Sequence, residues 1–159
     1  MNPGDIRFSA DAMLQSLAKW LRLLGYDCAS GGELHGLKLV EQAVAERRWV
    51  LSRNRRFAAE LPHFLLLHAD IALIASGRLP AQLREVVQRF SLEPAAFRFT
   101  RCLLCNEPLV QVPKPGQGVA PEVLEREDQF WRCPHCGRFF WKGSHVRRSI
   151  EKLNQWLTL

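Results

Sequence analysis

The cysteines are the residues whose spacing most directly specifies a chemistry. Four of them form two C-x-x-C pairs, in RCLLC and RCPHC, on either side of a Pro/Gly-rich stretch, VPKPGQGVAP. Each pair supplies half of a tetrahedral four-thiolate cage, and the stretch between them is long enough to fold back on itself. Cys102, Cys105, Cys133 and Cys136 are therefore expected to hold a structural zinc ion in a small ribbon. Gly137, directly after the last of them, suits a tight knuckle whose amides turn toward sulfur. A C-P-H-C sequence alone would also suit thiol–disulfide exchange, in which the intervening residues tune the thiolate. The second pair standing ready as partner, and the late position of the motif in the chain, favour zinc. Cys28 has no such partner and reads as a small buried hydrophobe. His135 and His145 are expected at the surface, because four thiolates already fill the cage.

A second chemistry is open to Asp11. Mg2+ and Mn2+ take hard oxygen ligands, and a carboxylate-held ion activates water and steadies phosphate charge. In an open α/β sheet such ligands sit at the carboxyl ends of strands. Asp11 follows the first expected strand and precedes the first helix. The same position suits an N-cap, since aspartate accepts hydrogen bonds from first-turn amides, and the two roles are compatible.

The elements that must position these groups fall into two regimes. Through residues 1–93, short apolar runs alternate with amphipathic stretches, the pattern of an α/β domain. Residues 6–10 read as a strand. Met13, Leu17, Trp20, Leu21 and Leu24 recur at helical spacing, and Gly25 supplies the stop. An extended piece over 26–29 leads through SGGE to a second helix, with Leu37, Val40, Val44 and Leu34 as inner-face candidates. Residues 49–52, 64–67 and 71–75 read as strands, 54–60 as a short helix, and Pro80 opens a helix through Phe90. The junction is expected over 91–96, followed by a ribbon with a C-terminal helix over 97–159. A piece this small usually needs a metal or disulfides to fold.

Hydrophobic residues make up 47% and charged residues 24% of the 159 residues, which excludes a disordered chain, and no segment is apolar enough to span a bilayer. The opening MNPGDIRFSAD lacks the basic region and apolar run of a secretory signal, so a cytoplasmic, reducing location is expected. The formal charge of +6 suits a polyanionic partner or simple solubility.

The stretch FSADAMLQSLAKWLRLLGYD resembles the opening of the Mut-seven C-terminal RNase domain family. VLSRNRRFA resembles that family's strand-to-helix segment, PAQLREVVQRFSL its later helix and CPHCGRFFWKGSH its ribbon. The resemblance covers residues 8–148. It implies a PIN-like α/β nuclease fold with a mainly parallel sheet, a zinc ribbon after it, and metal-dependent cleavage of RNA with Asp11 as a metal-binding aspartate. The sequence departs from the family at other acidic positions. Asn54 stands where an aspartate is usual, and Arg56 at a second acidic position. The second helix opens HGLKL where acids cluster, leaving Glu33 and Glu41 as the nearest carboxylates. Asparagine offers only a neutral oxygen, and arginine repels a divalent cation.

These substitutions leave a basic surface. Arg53, Arg55 and Arg56, beside Arg47 and Arg48, surround the middle strand, while Arg138, Lys142, Arg147 and Arg148, with Arg132, follow the ribbon. Trp131, Phe139, Phe140 and Trp141 are interleaved with the second group, and about half of these rings are expected to be the ribbon's own packing. Basic and aromatic residues together suit single-stranded RNA, with phosphates on the cations and bases on the rings. The leading expectation is an RNA-binding protein on a PIN-like scaffold with a depleted acidic site and weak or lost nuclease activity. The alternatives are an active Mg- or Mn-dependent endoribonuclease and a module binding an acidic protein. No oligomeric state follows from the sequence.

Overall fold

The computed structural model describes residues 6–31, 35–94 and 98–157. Its first part is a four-stranded parallel sheet built from β1 (Arg7–Ala10), β2 (Asp27–Ser30), β3 (Trp49–Ser52) and β4 (Ile71–Leu73), in the order β2-β1-β3-β4. The chain passes from β1 to β2 on one side and then crosses to β3 on the other. The carboxyl ends of β1 and β3 therefore flank the topological switch point, where open sheets place their ligands. Parallel connections need crossovers, supplied by α1 (Gln15–Leu23), α2 (Gly36–Ala45) and α3 (His63–Leu66). The last strand runs on into α4 (Leu79–Arg89), which carries Pro80 in its first turn.

Side chains alternate across β3 and so feed two cores. Leu51 joins Phe8, Leu17, Leu21, Leu83 and Val86 on one face, while Val50 joins Leu39, Val40, Phe57 and Leu65 on the other. Helices thus cover both faces, as a parallel sheet requires.

The second part is a three-stranded antiparallel sheet of β5 (Val110–Val112), β6 (Phe130–Arg132) and β7 (Phe139–Phe140), with α5 (Pro121–Arg126) before β6. Then comes α6 (Ser144–Leu157), whose Leu153 is fully buried in the core that also holds α1 and α4. Trp156 of α6 meets Trp20 of α1 with ring centroids 4.5 Å apart. Gly143, just before α6, has a packing role: a Cβ there would lie 2.7 Å from the Trp141 indole nitrogen.

Several expected details differ. Residues 64–67 are not a strand. Pro62 caps the one-turn helix α3, in which Leu65 is buried and Phe64 stays 62% exposed; a short apolar run does not by itself distinguish the two periods. Met13 is 62% exposed, because the chain leaves β1 through a single 3-10 turn, Ala12–Leu14, that turns Leu14 inward instead. Leu37 is exposed as well, α2 burying Leu39, Val40 and Ala43. Between Asn54 and Glu60 only Ala58–Glu60 is helical, as one 3-10 turn. Leu34 lies outside the described residues.

Candidate functional site

The carboxyl edge is organised around Asp11. Its backbone N–H donates to the Leu51 carbonyl at 3.0 Å, which extends the β1–β3 pairing by one residue. Its side chain is 7% exposed and both oxygens are engaged. Oδ1 accepts the Met13 N–H at 2.9 Å and so caps the 3-10 turn, and Oδ2 accepts the Ser52 hydroxyl. Ser52 Oγ in turn accepts the Asn54 N–H at 3.0 Å, and Asn54 Oδ1 accepts the Arg56 N–H at 3.0 Å. Asp11 and Asn54 are thus joined through Ser52, with the asparagine oxygen closing its own turn. The composition gave no reason to single out Ser52. The signal available was a polar residue ending a strand that is otherwise buried, beside the strand that carries Asp11.

Glu41 is exposed on α2, and Glu33 lies outside the described residues. Among the described residues, Asp11 belongs to no group of three carboxylates, histidines or cysteines close enough to share an ion. Among the described residues this edge offers two carboxylates, Asp11 and Glu85, the latter accepting the Ala75 and Ser76 N–H at 3.0 Å each, and they do not converge with a third donor into the cluster that Mg2+ or Mn2+ takes. The cations are placed differently. Arg53 is half-buried, and its Nε is shielded from solvent with no hydrogen-bond partner among the described residues. Its guanidinium approaches Gly77, in the loop that leads to α4. Arg55 and Arg56 are exposed.

The cysteines converge as expected. The sulfurs of Cys102, Cys105, Cys133 and Cys136 lie within 4.8 Å of one another. Cys102 and Cys136 are 3.9 Å apart, against about 3.8 Å for two sulfurs on one tetrahedral zinc with bonds near 2.3 Å. The two knuckles match bond for bond. Cys105 N–H points to Cys102 Sγ at 3.4 Å and Cys136 N–H to Cys133 Sγ at 3.5 Å. Each knuckle closes on a residue of positive φ, Asn106 at 70° and Gly137 at 72°, whose N–H returns to the first cysteine's carbonyl at 3.0 Å. A hydrogen bond from the Arg138 backbone holds the Cys136 thiol down to about 7, whereas burial pushes Cys105 up to about 12. Four soft donors on two such knuckles fit a zinc ion. Cys28 is fully buried outside this group, and burial pushes its thiol up to about 12. His135 and His145 are exposed.

Around the ribbon, Arg138, Lys142, Arg147 and Arg148 are exposed, while Trp131, Phe139, Phe140 and Trp141 are half-buried. Phe140 and Trp131 both pack edge-on to Phe99, and Lys142 Nζ stands 5.4 Å from the Trp131 ring centre. Trp141, Phe139 and Gly137 line one shallow depression beside Cys136.

Comparison with curated proteins and with solved structures returns no match. A family model, the Mut7-C RNAse domain, matches residues 6–153, a span that takes in the parallel sheet, the cysteine cluster and most of α6. The chain therefore belongs to the Mut7-C RNase domain family.

Proposed function

We propose that this protein binds single-stranded RNA at the carboxyl edge of its parallel sheet and hydrolyses it weakly or not at all. The observation that carries this reading is the composition of that edge. Its described carboxylates, Asp11 and Glu85, each already accept two hydrogen bonds from the protein, while the Arg53 Nε has no partner among the described residues. A guanidinium that makes no ion pair among the described residues suits a phosphate oxygen, which its solvent-facing terminal nitrogens would meet, because charge-assisted hydrogen bonds to phosphate are short and strong. Arg55 and Arg56 extend the positive charge outward. Arg138, Trp141, Lys142, Arg147 and Arg148 would form a second contact region, cations meeting phosphates and Trp141 stacking on a base. The four cysteines would hold one structural zinc ion, which supplies folding energy to the ribbon and no chemistry. A reducing, cytoplasmic location suits four cysteines kept out of disulfides.

Family membership supports a second reading, an active Mg- or Mn-dependent endoribonuclease. It would use Asp11, Asn54 and Glu33 or Glu41, and the two readings separate in one assay. Incubated with unstructured RNA and either ion, wild type should leave the substrate largely intact. Asn54→Asp with Arg56→Asp should gain divalent-ion binding, measured by Mn2+ titration. Robust wild-type turnover that disappears in Asp11→Ala establishes the nuclease.

A further inference from the structure

The zinc cage proposed above has a neighbour from the other half of the molecule. Arg22, on α1, is 3% exposed and makes four hydrogen bonds. Its Nη1 donates to the carbonyls of Leu103 and Leu104 at 2.9 and 3.0 Å, the two residues between Cys102 and Cys105. Its Nε donates to the Cys28 carbonyl at 2.8 Å and its Nη2 to Ser30 Oγ at 2.7 Å, both on β2. One buried guanidinium thus grips a metal-binding loop with one side and the outer strand of the sheet with the other.

Asn106 makes the complementary link from the ribbon. It occupies in the first knuckle the positive-φ position that Gly137 occupies in the second. Glycine takes this conformation at least cost, so a side chain there needs another source of stability. The amide supplies it: Oδ1 accepts the Cys28 N–H at 2.9 Å, and Nδ2 donates to Asp27 Oδ1 at 2.7 Å. Asp27 is held from the sheet side by Arg48 and from the ribbon by Arg101, whose Nη2 is 3.6 Å away and whose Nη1 donates to the Asn106 carbonyl. Among the described residues β2 is the edge of its sheet and pairs with β1 alone. Its outward groups at Cys28 are both taken, the N–H by Asn106 and the carbonyl by Arg22. An open strand edge is a template for unwanted pairing; here the first metal knuckle covers it.

We infer that Arg22 and Asn106 are positioning residues of the zinc site, and that metal binding secures the outer edge of β2. A zinc ion held by four thiolates is a doubly negative centre, and a buried cation clamped to the same loop offsets part of that charge while fixing the loop's shape. Groups of this kind that fix first ligands typically change metal affinity by about 10–100-fold. The inference rests on the zinc reading above, and the two fail separately.

The test uses the full-length chain. Elemental analysis comes first: purified protein without zinc overturns the metal reading itself. With zinc present, transfer to a chromophoric chelator gives relative affinity, and amide hydrogen exchange read at Cys28 reports the edge. Arg22→Met should weaken zinc binding by about tenfold or more, with Arg22→Lys, which keeps the charge but not the fork, in between. Asn106→Gly keeps the knuckle's backbone and removes only the amide. It should leave one zinc per chain and speed exchange at Cys28 by about tenfold, and zinc removal from wild type should do the same. If Arg22→Met does not fold, Arg22→Lys carries the affinity test, with zinc affinity within about twofold of wild type overturning the role of Arg22, while Asn106→Gly and chelated wild type decide the edge. Zinc affinity within about twofold of wild type in Arg22→Met overturns the inference. So does a Cys28 amide equally protected in Asn106→Gly and after zinc removal.

Discussion

Asp27 shows how one side chain ties the two halves together. Burial alone would push its carboxyl up, but hydrogen bonds from Arg48 and Asn106, with the charges of Arg48 and Arg101, outweigh that and hold it below the ordinary carboxylate range. A depressed folded pKa contributes stability that is present above the unfolded value, about 3.9, and is lost as pH falls through the folded one. Glu46, also bound to Arg48, is lowered too, so the wild-type slope has more than one source. The comparison with Asp27→Asn isolates this residue. In urea unfolding, that variant should be less stable than wild type at pH 7, by about 1–3 kcal/mol, with the gap closing as pH falls from the unfolded value of about 3.9 through the lower folded one. A gap that stays constant from pH 7 to 2.5 would show that Asp27 acts by shape alone. Asp11, by contrast, was legible from its place after a strand, both as cap and as edge carboxylate. Ser52, Arg22 and Asn106 were not, because their partners lie far away in sequence.

At the scale of elements, legibility followed the strength of local pattern. β3 was read to the residue, since a run of buried side chains ending in a polar residue leaves little freedom. The start of α1 was misphased by Met13 because the 3-10 turn before it rotates the apolar face, a shift that Asp11's capping bond causes and periodicity does not show. The cysteine cluster was legible in full because ligand spacing is chemistry and not propensity. What the sequence did not disclose is that Trp131 and Phe140 pack edge-on to Phe99, itself buried in the core shared with α1 and α4. The zinc reading predicts about one zinc per chain, and loss of the ribbon's cooperative unfolding in Cys105→Ser or Cys136→Ser, followed by near-UV circular dichroism, because metal affinity here is folding energy. A Cys133–Cys136 disulfide in purified, metal-free protein would contradict it.

The whole molecule carries a formal charge of +6, and its exposed cations include Arg55 and Arg56 after β3 and Arg138, Lys142, Arg147 and Arg148 along the ribbon and α6. On the function proposed above, these groups in a member of an RNase family meet the phosphates of a bound RNA. If phosphate contacts dominate, affinity falls with salt, with a log–log slope of about −0.7 per phosphate neutralised on a single strand. Arg53, Arg55 and Arg56 replaced together by alanine should flatten the slope. Trp141→Ala should change affinity with little change in slope, since stacking releases no counterions. The measurement that bears most directly on the account is therefore titration of a fluorescent unstructured RNA at several salt concentrations, beside a duplex and a polyacidic peptide. The account predicts tight, salt-sensitive binding that prefers the single strand and weakens in the triple arginine variant. Indifference to RNA at low salt, or equal affinity for the acidic peptide, would contradict it.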